Sequence, residues 1–330
     1  MVWSLASELG EEQVLSRSAR RKGAHHVTSG VSREVSGGAL ARLGSACLGR
    51  GVACQGAWYL AVRSGIPYLG TMPRIDAPEL EDFPWFPAHL RDAMTGFLRV
   101  ASEVVGLSAV AAPLVLRAME RGGTSNIVDL CSGGGGPVLS LVSRLRKRHG
   151  CPARVTLTDL YPNEDAFERA EREAPGYVRG HRGSLSATSV PESLAGVRTI
   201  FNALHHLPKD VATAVLTDAA EKRQPILTFE VVERSMQGAA IAALVPVGVF
   251  ALMPFVKPLK PSHLALTYVA PVLPAVIAWD GFASCLRSYS IDELREMTRA
   301  AARPGYTFEI VRTRVPYRPM YVTSVVGLPT

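Results

Sequence analysis

From Thr124 onward the chain alternates short β-rich runs with helical stretches, and it ends that alternation with two consecutive strands. Few folds satisfy such an order. The predicted strands are Asn126 to Leu130, Arg154 to Thr158, Tyr177 to His181, Arg198 to Ala203 and Pro225 to Val231. The predicted helices between them are Pro137 to His149, Asn163 to Arg172 and Pro208 to Arg223. Apolar strands separated by helices imply a parallel sheet covered on both faces. A last helix, Ile291 to Ala302, opens with the capping box Ser290 and Glu293 and is followed by strands Thr307 to Val315 and Met320 to Val326. The short YRP turn between those two strands forces them to pair antiparallel.

The turn after the first strand, DLCSGGGGP (Asp129 to Pro137), removes side chains where backbone must approach a ligand closely. Pro137 fits a first helical position, where its missing N–H costs nothing. A dinucleotide fingerprint would need a third glycine at Val138 or Leu139, and neither is glycine. Thirty residues after Asp129, the run VTLTDLYPN places Asp159 at the end of the second strand, where a carboxylate can accept hydrogen bonds from two ribose hydroxyls.

A parallel sheet finished by a hairpin, with an acid and a glycine-rich loop at strand one, resembles the class I S-adenosylmethionine-dependent methyltransferases over roughly Thr124 to Thr330. The resemblance implies an α/β three-layer sandwich with a mostly parallel seven-stranded sheet and S-adenosyl-L-methionine as cofactor. It implies that Asp129 orients the loop and the cofactor's amino group, with Ser132 available for hydrogen bonding. Gly133 and Gly135 keep two of the family's three loop glycines, while Cys131 replaces the first, a change tolerated at negative φ. Asp159 corresponds to the ribose ligand, Leu160 and Tyr161 to adenine-packing residues, and Ser184 or Ser186 to the position where relatives carry an adenine-binding acid. The run RTIFNALHHLPKD, with Asn202, His205 and His206, corresponds to the motif bordering the transferred methyl. It lacks the N-P-P-Y form used on DNA bases and protein amides, which points to a small-molecule acceptor rather than nucleic acid. His205 and His206 are read either as proton acceptors or as packing elements.

Ahead of this domain, residues 76–123 predict two or three helices forming a cap. Between strand five and the capped helix lies an apolar insertion, 235–285, with no charge from Ser235 to Val256 and none from Pro261 to Trp279. Each half approaches the length of a membrane span, about 20 residues, but prolines 246, 254, 271 and 274 are expected to break them. A hydrophobic lid or a monotopic membrane patch through 235–279 is favoured over a spanning hairpin. After the insertion, Asp280-Gly281 reads as a turn and Asp280 with Arg287 as an ion pair. The alternative has Arg287 gripping an anionic substrate group, beside Tyr289 and Glu230 at the same opening.

The net charge of +7 is concentrated at the front: nine Lys or Arg residues stand against Glu34 between Gln13 and Ile75. Residues 1–75 read as a targeting segment, a flexible extension or a basic surface-binding arm. No secretory core follows the first residues, and five cysteines form no C-x-x-C pair, so an intracellular setting, cytoplasmic or organellar, is expected. No H-E-x-x-H or comparable ligand spacing predicts a metal. The leading expectation is transfer of a methyl group to a lipophilic or amphipathic small molecule, at oxygen first, with sulfur, nitrogen and carbon open. A nicotinamide-dependent oxidoreductase without a terminal hairpin and a membrane-attached, non-catalytic cofactor-binding protein are the alternatives.

Overall fold

The computed structural model describes residues 73–330. The basic stretch through residue 72, and the expectations attached to it, lie outside the described residues.

Seven strands form one sheet: β1 (Asn126–Asp129), β2 (Arg154–Leu157), β3 (Val178–Gly180), β4 (Val197–Phe201), β5 (Ile226–Phe229), β6 (Tyr306–Arg314) and β7 (Tyr321–Pro329). Their order is β3-β2-β1-β4-β5-β7-β6. The first five are parallel, and β7 enters antiparallel between β5 and β6, pairing along its whole length with β6 from Tyr306↔Pro329 to Arg314↔Tyr321. The expected hairpin is therefore present, and its second strand is inserted into the sheet rather than added at its edge.

Alternation along the strands feeds two apolar layers. Ile127, Val155, Leu157, Leu227 and Val326 point to one face, where they meet helices α2 (Leu107–Gly122) and α3 (Gly136–His149). Phe167 of α4 (Glu164–Glu173), whose N-cap is Asn163, joins the same layer. Val128, Leu130, Ile200, Ile226 and Val325 point to the other face, onto α5 (Lys209–Glu221) and, beyond the insertion, the helix Ile291–Ala301. No helix links β3 to β4; loop residues Leu185 and Val190 fill that layer instead. A groove of about 620 Å³ stays open beside it, lined by Asn126, Arg154, Tyr177 and Leu194.

Two expectations about the additions change. The helix α2 was grouped with the cap, yet it belongs to the sandwich: Leu107, Ala111, Leu114, Val115 and Ala118 are buried against the sheet. Only α1 (Ala88–Val105) stands outside the sandwich, joining α3 to the insertion. The insertion itself is helical, with α6 (Met236–Leu252), a 3₁₀ turn (Met253–Phe255), a short α7 (Pro261–Leu264) running into a π turn (Ala265–Val269), and α8 (Val272–Arg287). The capped helix Ile291–Ala301 follows as α9, and its capping box forms as read, in both directions.

Pro246 does not break α6. A proline inside a helix removes one ladder hydrogen bond, and the packing of α6 against α8 and α1 outweighs that loss. Phe86, Met94 and Phe97 meet Val249, Met253, Val256, Leu273 and Ile277 in a third apolar cluster. Several large apolar side chains of the insertion are exposed: Leu244, Val247 and Phe250 on α6, Phe255 and Val269 in the connection, Trp279 and Phe282 on α8. Among the described residues, Met236–Phe255 is one helical stretch long and apolar enough to cross a membrane.

Candidate active site

The carboxyl ends of β1, β2 and β4 meet at one edge of the sheet, where ligands of open α/β sheets bind. At the end of β1, Asp129 is buried, and its Oδ1 accepts a hydrogen bond from Thr199 Oγ1 at 2.6 Å. Burial pushes its carboxyl up to about 7, against the pull of the hydroxyl bonds, and the charge of Asp159 adds to the rise. Ser132 Oγ donates to the Asp129 carbonyl (2.8 Å) and accepts from the Thr158 N–H (3.1 Å), stitching the loop to the end of β2.

The loop turns through three left-handed residues, Cys131 (φ 54°), Gly133 (φ 51°) and Gly135 (φ 72°). The glycines carry that conformation without penalty. Cys131 does not have the negative φ expected of it: it adopts the glycine conformation despite its side chain, and desolvation pushes its half-buried thiol up to about 12. Pro137 is the second residue of α3, one place later than expected, because Gly136 begins the helix. No atom lies within 4 Å of the space a side chain on Gly133 would enter, whereas Gly134 and Gly136 face Thr95 and Arg99 of α1. The helix thus lies along one side of the turn and leaves the other open.

Asp159 sits where the spacing put it. Its Oδ2 accepts from the Gly133 N–H and its Oδ1 from the Tyr161 N–H, both at 2.9 Å. Burial raises its carboxyl and these backbone bonds lower it, with a net shift upward. Leu160 and Tyr161 are exposed beside it. Ser184 Oγ donates to the Leu160 carbonyl, so it supports the loop. Asn202, also left-handed (φ 47°), accepts from the Val231 N–H through Oδ1 and so ties the end of β4 to the segment after β5.

A second cluster forms beyond β4. His205 is buried, with Nδ1 2.5 Å from Glu230 Oε2, while Glu230 Oε1 accepts from the Leu204 N–H. The Nε2 of His205 has no hydrogen-bond partner and faces Glu79 Oε1 at 3.9 Å. His206, about a quarter exposed, faces Glu79 Oε2 and Asp82 Oδ1, each at 3.6 Å. Burial pushes the Glu79 carboxyl up to about 7, while hydrogen bonds and the neighbouring His206 and Arg287 outweigh burial at Asp82 and hold it near 2.

Arg287 is buried and spends its donors on Glu79 (3.3 Å), Asp82 (2.7 Å) and the His206 carbonyl (3.1 Å). It offers no open fork to an anionic ligand, and it does not pair with Asp280. Asp280 lies inside α8, not in a turn, and accepts from the Leu80 and Glu81 N–H groups. Tyr289 donates to the Leu207 carbonyl and stacks under Arg74, which also reaches the carbonyls of His205 and Arg287. Residues 74–82 therefore strap β4 to α8. Glu79, Asp82 and Arg74 carried no motif, and the only sequence signal was an acidic run, PELED, among prolines and aromatics.

The strand order with antiparallel β7 matches the architecture implied by the sequence resemblance. The fold is a three-layer α/β sandwich on a seven-stranded, mostly parallel sheet closed by an antiparallel hairpin. No protein-family model matches the chain, and no curated protein matches it. Among solved structures it is similar to an O-methyltransferase from neocarzinostatin biosynthesis in complex with S-adenosyl-L-homocysteine and a dihydroxynaphthoic acid, at 16% identity over 70% of this chain and 58% of that one, with a TM-score of 0.38. The mitomycin 7-O-methyltransferase matches at 15% identity, 68% and 54% coverage and a TM-score of 0.39. The magnesium protoporphyrin IX methyltransferase of Synechocystis PCC 6803 matches at 11% identity, 70% and 86% coverage and 0.39. The chain spans between about two fifths and three fifths of the length of the first structures it matches.

Proposed function

We propose that the protein is an S-adenosyl-L-methionine-dependent methyltransferase acting on a small lipophilic acceptor, at oxygen first. One observation carries the reading: the Asp159 carboxylate is tied to the Gly133 N–H, which puts an acid and a side-chain-free turn at adjoining strand ends with open space beyond them. Asp159, Gly133, Gly135, Asp129 and Ser132 would hold the cofactor, with Leu160, Ser184 and Asn202 around them. The bound sulfonium supplies an electrophilic methyl group, so most of what remains for the protein is positioning and exclusion of water. The buried Glu79–His205–His206 cluster, with Glu230 orienting His205, is the group that takes up the proton of the acceptor hydroxyl.

An antiparallel strand between β5 and β6 disfavours the nicotinamide-dependent alternative, whose sheet is parallel in the order 3-2-1-4-5-6. Calorimetric titration with S-adenosylhomocysteine and with NAD tests the choice. Tight binding of the former and none of the latter is expected, and the reverse would end this reading. Labelled methyl recovered in a metabolite or lipid extract then separates an enzyme from a cofactor-binding scaffold. Replacing His205 and His206 by alanine in turn should reduce turnover far more than cofactor binding.

The exposed apolar side chains of the insertion support a second element of the reading, peripheral attachment to a membrane. Leu244, Val247, Phe250, Phe255, Val269, Trp279 and Phe282 of the insertion are exposed, and Lys257 and Lys260 sit in its connection. Apolar residues with lysines at their edge suit the headgroup boundary of a bilayer. Such attachment would place the acceptor site close to lipophilic molecules.

A further inference from the structure

His205 is an unusual histidine for a merely packed core position. Its Nδ1 is held by a carboxylate, and its Nε2 is buried with no hydrogen-bond partner. In the neutral imidazole the Glu230 contact selects the tautomer with its proton on Nδ1, which leaves the Nε2 lone pair free. That lone pair faces Glu79, and His206 faces Glu79 from another side.

We propose that Glu79, His205 and His206 form a binding site for a divalent first-row transition metal, zinc above all, at the carboxyl end of β4. One ligand atom from each residue lies within 4.8 Å of the other two. The nitrogen–oxygen separations of 3.9 and 3.6 Å exceed hydrogen-bond length. They fall inside the roughly 4.2 Å that two ligands can span when each is about 2.0–2.1 Å from one zinc ion. Two imidazoles and a carboxylate form a donor set suited to zinc, with a fourth position left for an oxygen ligand.

The surrounding residues match the outer shell of such sites, in which each ligating imidazole donates its other nitrogen to a carboxylate. Glu230 does this for His205 at 2.5 Å, and Asp82 stands 3.6 Å from Nδ1 of His206. Arg287 and Ser284 share Glu79 Oε1, at 3.3 and 3.1 Å, and hold the carboxylate in place. Arg287 reaches the Glu79 carboxyl and Arg74 the His205 carbonyl, and the three carboxyls of Glu79, Asp82 and Glu230 stand against these two guanidiniums. His206, partly exposed, marks the entry side. A metal there would lower the pKa of an acceptor hydroxyl bound at its fourth position, so that the proton leaves to solvent on the partly exposed side of the cluster, past His206 and Asp82, instead of to an imidazole. That consequence rests on the methyltransferase reading; the binding site does not.

The test uses the full chain, stripped with a chelator, dialysed and titrated with zinc by calorimetry, then with cobalt(II) followed by its visible absorption. One equivalent per chain is expected, with a cobalt spectrum of nitrogen and oxygen ligands. Glu79→Gln and His206→Ala should each remove the equivalent or weaken it more than about tenfold, and Glu230→Gln should weaken it about 10–100-fold without changing stoichiometry. If Glu79→Gln fails to fold, His206→Ala at the partly exposed position decides. Absence of a stoichiometric equivalent, or an equivalent undiminished in both ligand variants, overturns the proposal. S-adenosylhomocysteine affinity, measured on the same metal-free samples, reports separately on the cofactor reading.

Discussion

Replacing Asp159 by asparagine perturbs the cofactor reading at the point that carries it. The carboxylate accepts two backbone hydrogen bonds at 2.9 Å, from Gly133 through Oδ2 and from Tyr161 through Oδ1. An amide has one acceptor oxygen, so its NH₂ must face one of those two N–H groups and leave it unpaired. A buried unpaired donor costs about 1–3 kcal/mol, and partial exposure of Asp159 puts the cost near the lower end, about 1 kcal/mol. Ribose hydroxyls donating to a charged acceptor are worth about 1.5–3 kcal/mol each, and a neutral oxygen already bonded to backbone keeps only part of that. The expected loss in cofactor affinity is therefore about 2–3 kcal/mol, roughly 30- to 150-fold. Calorimetry with S-adenosylhomocysteine reads the affinity, and urea denaturation reads the stability loss separately. An affinity within threefold of the parent, with a stability loss of the expected size, would show that Asp159 only shapes the turn.

Three further outcomes follow from the geometry. Cys131→Val should destabilise by about 2 kcal/mol, because a β-branched side chain is forced into the left-handed region, while Cys131→Gly should stay within about 1 kcal/mol of the parent; equal effects in denaturant melts would contradict the strain. In the cofactor-free protein the Asp129 carboxyl titrates near 7 instead of at its ordinary 3.8, so the folded state binds more protons between those values and stability falls as pH rises through that window, then levels off. By linkage Asp129 contributes at most about 4 kcal/mol of this slope, and Asp129→Asn should lose that share while keeping the part from Glu79, whose carboxyl is also pushed up to about 7; parallel pH profiles for the two proteins would remove the assignment. Phe250→Asp with Phe255→Asp should abolish flotation with anionic phospholipid vesicles while leaving the melting temperature nearly unchanged, and retained flotation would rule out the insertion as the attachment surface.

The sheet was legible because its signals are local: strands of β-branched residues, the glycine turn and the capping box each lie within a few residues, and no boundary moved by more than two positions except the end of β7, which runs three residues further, to Pro329. What failed was assignment by face. The apolar stripe of α2 reads the same whether it covers a sheet or a lid, and only its position beside β5 and β7 decides. Pro246 misled for a related reason, since helix interruption depends on the tertiary packing that compensates the lost bond. Of the Glu79–His205–His206 cluster only the histidine pair was legible, for a different reason. Glu79 lies more than 120 residues ahead of the two histidines, and the strap of residues 74–82 that brings it to them carries no pattern of its own.

The insertion of β7 between β5 and β6 also bears on how the molecule is made. β6 leaves the ribosome before β7 yet, among the described residues, hydrogen-bonds to no strand but β7, so a growing chain holds β6 unpaired while β5 presents an open edge. Exposed edges template pairing with other chains. Residues Tyr321–Pro329 thus act as the closing strip of the sheet, and a stall or cleavage between Arg314 and Tyr321 would release a chain with two unprotected edges and a nearly finished core.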